Sequence, residues 1–151
     1  MKNDHLHSRE TPLAVGETAP DFTLQDQDRK EWKLSDAVKL GDVVLCFYPM
    51  AFTGVCGVEM KCVNDEMAAW TKKSAKVVGI SCDSTAVQKA WADSMGLKQT
   101  LLADMHRHVC KAYGFYWADL NVSSRGRWSS ARAAAGRARS RGASHVSPAT
   151  Q

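Results

Sequence analysis

Cys56 is the residue whose surroundings in the sequence best suit covalent chemistry. It follows an apolar run, Val43–Tyr48, and a turn at Pro49, in a pattern typical of a buried strand followed by a helix that begins near Thr53. In the first turn of such a helix, unpaired backbone N–H groups and the positive end of the helix dipole favour a thiolate. Because the thiolate is the nucleophilic form of cysteine, the pattern predicts a reactive thiol at Cys56.

The other cysteines show no comparable pattern. The chain has five, an odd number, at positions 46, 56, 62, 82 and 110. No two of them form a C-x-x-C pair, so the spacing indicates neither a structural disulfide framework nor a zinc ribbon. Cys46 lies inside the apolar run and Cys82 directly follows a second predicted strand, so we expect both to act as small hydrophobic residues without reactivity.

Possible metal ligands are few in this sequence. His5 and His7 stand on a polar N-terminal arm, and His106 and Cys110 are four residues apart on a predicted helix. Residues four apart share a helix face, but neither pair has further ligands nearby in the sequence. We therefore predict no metal site and no cofactor.

The segments around Cys56 alternate between strand and helix patterns. Strands are predicted over 21–24, 31–34, 43–48, 76–81 and 101–103, and helices over 35–41, 53–73, 83–95 and 104–113. Ser35 or Asp36 is expected to cap the first helix and Asp83-Ser84 the third, from which Val87, Ala90 and Trp91 are expected to face inward. Unbroken apolar strands separated by helices predict an α/β domain with a parallel or mixed sheet and right-handed crossovers.

The stretch from Pro49 to Cys56 reads P-x-x-x-T-x-x-C, and the chain thereby resembles the peroxiredoxins, thiol peroxidases with a thioredoxin-type fold. Glu59, Trp91 and the pair Arg125-Gly126 also match positions of that family. The resemblance covers about residues 15–126. It implies a thioredoxin-like α/β fold and a thiol-dependent peroxidase that reduces hydrogen peroxide and organic hydroperoxides.

The resemblance also implies roles for individual residues. Cys56 would be the peroxidatic cysteine, which attacks the peroxide and becomes sulfenic acid. Arg125 would lower the pKa of that thiol and bind the peroxide, while the Thr53 hydroxyl would hold its oxygens. Pro49 would shield the sulfur from water. Glu59 and Trp91 would support the site.

Cys62 is a candidate for the resolving cysteine, which in some peroxiredoxins lies five residues after the peroxidatic one. Here the spacing is six. On an ideal helix, six residues rise about 9 Å and place the two Cα atoms roughly 10 Å apart. A disulfide needs a Cα separation below about 7 Å, so a Cys56–Cys62 bond requires the first helical turns to unwind. Resolution by Cys62 and resolution by an external thiol both stay open.

The sequence predicts three regions: a flexible arm over 1–14, a domain over 15–126 and a basic tail over 127–151. The tail is rich in Ala, Arg, Ser and Gly, and we expect it to be disordered or weakly helical because it offers little apolar area to bury. The fold would then lack its C-terminal strand hairpin and last helix, and Arg125 would lose support. Such a composition is also what a shifted reading frame of GC-rich DNA encodes, and we hypothesise a replaced C-terminus and impaired activity.

Charge is unevenly distributed along the chain. Six of its 20 basic residues are arginines after position 121, which leaves 14 basic against 16 acidic residues in 1–121. A basic tail raises the alternative of a catalytically impaired protein that binds nucleic acid, although the tail's lack of interleaved aromatic residues argues against specific recognition. A thiol–disulfide oxidoreductase of the same fold is another alternative, but the absence of a C-x-x-C motif argues against it.

The sequence also carries expectations about location and partners. The polar N-terminus has no apolar segment of signal-peptide type, and no run approaches the roughly 20 residues needed to cross a bilayer. We therefore expect a cytoplasmic protein without a membrane partner. Its partners would be a peroxide, a thioredoxin-like or small-thiol reductant, and a second copy of the chain in a homodimer.

Overall fold

A computed structural model describes residues 2–14, 17–54, 57, 58, 60, 61, 75–130 and 138–139. Its strands are β1 (Thr23–Asp26), β2 (Glu31–Lys33), β3 (Asp42–Phe47), β4 (Ala75–Ser81), β5 (Thr100–Ala103), β6 (Tyr116–Trp117), β7 (Val122–Ser123), β8 (Gly126–Ser130) and β9 (Ala138–Arg139). Its helices are α1 (Leu34–Leu40), α2 (Thr85–Met95) and α3 (His108–Ala112). Residues 54, 57, 58, 60 and 61 are also helical, and we call them the 54–61 segment.

Within these residues, seven strands form one mixed sheet in the order β2-β1-β5-β4-β3-β8-β9. The three central strands, β3, β4 and β5, run parallel, while β1 pairs antiparallel with β5 and β8 pairs antiparallel with β3. Strands β6 and β7 form a separate two-stranded sheet. The predicted α/β domain with a mixed sheet is confirmed.

Strand β3 divides the core into two sides because successive side chains point to opposite faces of a sheet. Val43, Leu45 and Phe47 face a large cluster rich in aromatic rings. In it Phe47 lies 4.8 Å from Phe115 and 5.6 Å from Tyr113, measured between ring centroids. The alternate residues Val44 and Cys46 pack with Val77, and Tyr48 packs with Met60, Trp91 and Leu101.

Gly79, in the middle of β4, permits close packing of the 54–61 segment on the sheet. A Cβ at this position would lie 2.7 Å from the Met60 methyl and 2.8 Å from a Leu101 methyl, closer than carbon atoms approach each other. Gln99 reinforces the contact because its side-chain amide donates to the Met60 carbonyl oxygen at 3.0 Å. The segment that leads away from the Pro49 turn is therefore tied to β4 and to the start of β5.

Two details of the helices differ from the sequence predictions. Helix α1 begins at Leu34, and the carboxylate of Asp21 accepts the Ser35 N–H at 2.9 Å, so neither Ser35 nor Asp36 is the cap. The cap comes from a residue on another segment, which local spacing cannot indicate. In α2, Ser84 caps the helix as predicted and Trp91 is buried, but Val87 and Ala90 are exposed and Gln88 is buried instead.

Helix α3 is shorter than predicted. It runs over only five residues, His108–Ala112, whereas the prediction began at Asp104. Asp104 stays outside the helix and accepts hydrogen bonds from the N–H groups of Val109 at 3.2 Å and Cys110 at 2.8 Å. The acidic residue is therefore the side-chain cap of a helix that begins four residues later.

The largest correction concerns the chain after Gly126, which we expected to leave the sheet. Strand β8 continues to Ser130 and pairs with β3 through Leu45–Trp128 and Phe47–Gly126, and it also pairs with β9. Trp128 is only 3% exposed and belongs to the aromatic cluster. One buried tryptophan supplies apolar area in a stretch whose other residues offer little, so the boundary at 126 was drawn too early. Residues 131–137 and 140–151 lie outside the described chain.

Candidate active site

The loop after β3 is shaped by local hydrogen bonds. The Thr53 hydroxyl donates to the Met50 carbonyl oxygen at 2.9 Å, and the Gly57 N–H donates to the Thr53 carbonyl oxygen at 2.9 Å. The second bond opens the 54–61 segment as a helix. Between them, Phe52 adopts a left-handed φ of 61°, a conformation that costs a non-glycine residue energy and commonly marks functional loops.

Asp83, two residues beyond the end of β4, holds this loop in place. Its Oδ2 accepts the Ala51 N–H at 2.8 Å and the Ser81 hydroxyl at 2.7 Å. Ala51 is buried, so its N–H would otherwise lack a partner away from water. The carboxylate thereby fixes the turn between Pro49 and Thr53 against the end of β4.

A buried hydrogen-bond chain continues from Asp83 into the core. The Ser81 hydroxyl accepts from the Gln88 amide at 2.8 Å, and Gln88 in turn accepts the Tyr48 hydroxyl at 2.5 Å. Gln88 also donates to the Leu102 carbonyl oxygen at 3.1 Å, and both it and Tyr48 are fully buried. Because every member is partnered, the chain fixes the ends of β3, β4 and β5 relative to one another.

Arg125 reaches the same end of the sheet from the other side. The last register pair between β3 and β8 is Phe47 with Gly126. Arg125 precedes Gly126 in the chain and therefore lies just beyond this pair, level with the start of the Pro49 loop. Gly126 is needed here because a Cβ would lie 2.1 Å from a ring carbon of Phe115. The adjacent glycine thus lets β8 approach closely enough to bring Arg125, which is half-buried, to this place.

The residues predicted for the site fall into two groups. Pro49 and Thr53 lie in the loop, Arg125 lies beside it, and Trp91 is buried in α2 with its ring 5.2 Å from that of Tyr48. Cys56, Glu59 and Cys62 lie outside the described residues. Their roles stay predictions.

Sequence reasoning missed Asp83 and Gln88 as supports of the loop. Asp83 was read only as part of a helix cap, and Gln88 was not considered because polar residues are rarely buried without a partner. Asp83 lies one residue before the Ser84 cap, and Gln88 lies four residues after it. These positions alone do not indicate a role, and the role of Asp83 becomes evident only from its hydrogen bond with Ala51.

A second group of reactive side chains lies elsewhere in the molecule. The sulfurs of Cys82 and Cys110 are 3.8 Å apart, and the Asp104 carboxylate lies near both. Possible ligand atoms of these three residues all lie within 4.8 Å of one another. The sequence predicted an inert Cys82 and grouped Cys110 with His106, so this cluster was not foreseen.

Comparison with known proteins identifies the family. Residues 15–134 match the AhpC/TSA family. The chain belongs to this family, the peroxiredoxins. The match continues past Gly126, where our prediction ended the domain, and includes the whole of β8.

Individual peroxiredoxins show the same relationship. The chain is 34% identical over 116 residues to alkyl hydroperoxide reductase E of Mycobacterium tuberculosis, covering 76% of each protein. It is 35% identical over 105 residues to peroxiredoxin Bcp of Escherichia coli, covering 70% of this chain and 67% of that one. The crystal structure of peroxidoxin BcpB from M. tuberculosis superposes with a TM-score of 0.71 at 30% identity, covering 78% and 77% of the two chains.

These relationships confirm the predicted thioredoxin-like fold of peroxiredoxin type and the enzyme class. The chain is an oxidoreductase of the thiol-dependent peroxidase class. No helix in the described part of the chain is long and apolar enough to span a membrane.

Proposed function

We propose that the protein reduces hydrogen peroxide and organic hydroperoxides through Cys56. The Cys56 thiolate attacks one oxygen of the peroxide, the O–O bond breaks, and the other oxygen leaves as water or an alcohol after taking up a proton. The sulfur becomes sulfenic acid. A thiol then attacks the sulfenic acid and releases water, and a second thiol reduces the resulting disulfide and restores Cys56.

The observation that carries this proposal is the convergence of two distant segments at one end of β3. The Pro49–Thr53 loop leads directly into the helix on which the sequence places Cys56, and β8 brings Arg125 level with that loop. A guanidinium beside the thiol would stabilise the thiolate and the charge that develops on the departing oxygen. The predicted loss of support for Arg125 does not follow, because β8 is paired with β3 and anchored by Trp128.

The surface of the loop supports organic as well as inorganic peroxides. Met50 and Phe52, which flank buried Ala51, are 43% and 59% exposed. Exposed apolar side chains on the loop that leads to Cys56 would bind the alkyl part of a hydroperoxide. The names of relatives, among them an alkyl hydroperoxide reductase, are consistent with such substrates.

The reductant and the location of the protein are further parts of the proposal. A thioredoxin-like protein or a small thiol would reduce the oxidised enzyme in the cytoplasm, with Cys62 as an internal resolving cysteine if the helix unwinds and an external thiol otherwise. Homodimer formation is an expectation that the oligomeric state in solution will test. The alternative of nucleic-acid binding depends on residues beyond 130, most of which lie outside the described chain, and stays a sequence prediction.

Rapid mixing of the reduced protein with hydrogen peroxide and with cumene hydroperoxide tests this function. We expect loss of one fast-reacting thiol, formation of a dimedone adduct at Cys56, and loss of both in Cys56→Ser. Cys46→Ser removes a buried cysteine of β3 and is the matched control, expected to react like the unmodified protein. A rate no faster than that of a free thiol, or a dimedone adduct at another cysteine, would contradict the proposal.

Cys62→Ser decides how the sulfenic acid is resolved. If Cys62 resolves it, the variant accumulates sulfenic acid after one equivalent of peroxide, while the unmodified protein forms a Cys56–Cys62 disulfide. If an external thiol resolves it, the two proteins behave alike. Mass spectrometry of the alkylated peptides separates the two results.

A further inference from the structure

Two cysteines outside the Cys56 motif are in direct contact. Cys82 follows the end of β4, and Cys110 lies in α3, 28 residues further along the chain. Their sulfurs are 3.8 Å apart, while a disulfide bond is about 2.05 Å long. The sulfurs are therefore already in contact, and β4 and α3 hold them side by side before any bond forms.

The two thiols differ in exposure. Cys110 is fully buried, whereas Cys82 is half-buried and keeps part of its surface in contact with solvent. Only Cys82 can be reached by a reactant from outside. Cys110 can be reached only by the sulfur of Cys82.

The hydrogen bonds of the two thiols favour the thiolate at Cys82 and the protonated thiol at Cys110. The Cys110 S–H can donate to the Cys82 sulfur at 3.8 Å or to the Arg107 carbonyl oxygen at 3.4 Å. Donation from Cys110 lowers the pKa of Cys82, and the Arg107 charge and the Ser123 N–H add to this effect, which outweighs partial burial and the nearby Asp104 charge. The same contact, together with burial, raises the pKa of Cys110. The accessible sulfur is thus the better nucleophile.

Asp104 adds a proton acceptor to the pair. Its carboxylate is 1% exposed and lies within 4.8 Å of both sulfurs. Burial raises the pKa of Asp104 to about 6, against hydrogen bonds from the Cys110 and Val109 N–H groups that lower it. A carboxylate that titrates near neutrality beside a buried thiol can accept that thiol's proton when the thiol reacts.

We propose that Cys82 and Cys110 form a second redox site, a dithiol that small organic disulfides oxidise to an intramolecular disulfide. The Cys82 thiolate attacks one sulfur of the organic disulfide, the S–S bond breaks, and one thiolate leaves. Cys110 then attacks the Cys82 sulfur of the mixed disulfide, its proton passes to Asp104, and the second thiolate leaves. The two cysteines lose two electrons, and one organic disulfide becomes two thiols.

This site gives the protein a thiol–disulfide exchange activity that does not need Cys56. The sequence disfavoured such an activity because C-x-x-C is absent, but tertiary contact supplies the paired thiols instead. A bound metal ion is the competing use of the same three residues, since two sulfurs and a carboxylate oxygen are ligands that zinc accepts. A chelator would remove a bound metal ion and expose the thiols, whereas it would leave a disulfide intact.

Peptide mapping of the full chain tests the proposal. The reduced protein and its Cys56→Ser variant are treated with oxidised glutathione, alkylated in acid with N-ethylmaleimide and digested with trypsin. Trypsin separates Cys82, in residues 77–89, from Cys110, in residues 108–111, and both from the peptides of the other cysteines. We expect a linked 77–89/108–111 peptide in both proteins, formed at least tenfold faster than any modification of buried Cys46.

Single variants test the order of the steps. Cys110→Ser, with Cys110→Ala as a second variant, should accumulate a stable glutathione adduct on Cys82, because the second step is blocked. Cys82→Ser should leave Cys110 unmodified in the folded protein. The peroxide rate constant of the Cys82→Ser/Cys110→Ser protein should stay within twofold of the unmodified value, which separates this site from the peroxidase site.

Three results would overturn the proposal. The first is the absence of the linked peptide while folded protein is still present. The second is its loss in Cys56→Ser, which would show that the oxidation depends on Cys56. The third is protection of both thiols from alkylation by zinc, reversed by EDTA and without a linked peptide, which would assign the cluster to a metal ion.

Discussion

The two proposed cysteine sites of this peroxiredoxin are built in opposite ways. The frame of the Cys56 site is local, since Pro49, Thr53 and Cys56 fall within eight consecutive residues that follow one strand. The Cys82–Cys110 pair is separated by 28 residues and is joined only because β4 ends beside α3. A short sequence motif therefore predicts the first site, whereas the spacing of Cys82 and Cys110 does not predict the second.

The contrast weakens when the rest of the Cys56 site is considered. Asp83 and Arg125 come from segments far along the chain: Asp83 hydrogen-bonds to the loop, and the pairing of β8 with β3 places Arg125 level with the start of the loop. The local motif thus predicts the nucleophile, whereas distant residues hold the loop that leads to it. Substitutions of these distant residues therefore measure how far the activity of the first site depends on tertiary structure, on which the second site depends entirely.

Trp128→Ala should have the largest effect on the protein. Trp128 is 3% exposed, and its ring packs edge-on against Tyr113 at a centroid distance of 5.9 Å. Removal of a buried tryptophan typically lowers the free energy of unfolding by about 3–5 kcal/mol. Urea unfolding followed by circular dichroism measures the loss.

Trp128→Phe is the matched control for this variant. The indole N–H of Trp128 is buried without a hydrogen-bond partner, so phenylalanine removes an unpaired polar group and keeps most of the apolar contact. We expect a loss below about 1.5 kcal/mol. Equal, small losses in both variants would mean that β8 does not contribute to the core, and Arg125 would then lack the support described above.

Arg125→Ala should lower the rate constant for peroxide by about 10²–10³-fold, the range found when one group that stabilises transition-state charge is removed. Arg127→Ala removes the same charge from an exposed position two residues away and should change the rate less than threefold. The Cys82–Cys110 disulfide should form at an unchanged rate in both variants. Similar peroxide rates in the two variants would show that Arg125 acts only through net charge.

Local and tertiary information explain which features the sequence could predict. The apolar run of β3, the Ser84 cap and the burial of Trp91 follow from patterns within a few residues, and the structure confirms them. The cap from Asp21, the buried Gln88 and the strand around Trp128 depend on partners elsewhere in the fold. In each of these cases one tertiary contact outweighs a local preference, as when Tyr48 and Ser81 satisfy the amide of Gln88.

Asp104 links the second site to pH. Burial raises its pKa to about 6 in the folded protein, from an ordinary value of 3.8, so the folded state holds more protons than the unfolded state between these values. Stability is therefore highest below about pH 4 with respect to this group and falls as pH rises through about 6, by about 3 kcal/mol in total. Unfolding by urea at several pH values between 4 and 7 measures the slope.

Asp104→Asn should remove this part of the pH dependence, because the amide does not titrate. The exposed Asp119→Asn is the matched control and should keep the slope of the unmodified protein. The asparagine variant should also form the Cys82–Cys110 disulfide more slowly above pH 6, since no carboxylate accepts the Cys110 proton. A slope that persists in Asp104→Asn would assign the titration to a group other than Asp104.

Asp83→Ala should have the smallest of these effects, because it moves the loop without touching the reacting atoms. The variant leaves the buried Ala51 N–H without its acceptor at 2.8 Å, and we expect the peroxide rate constant to fall about tenfold, equivalent to about 1.4 kcal/mol. Asp83→Asn keeps an acceptor oxygen and should recover most of the rate. If both variants lose activity equally, the negative charge of Asp83 acts on the site, and positioning of the Pro49–Thr53 loop is not its role.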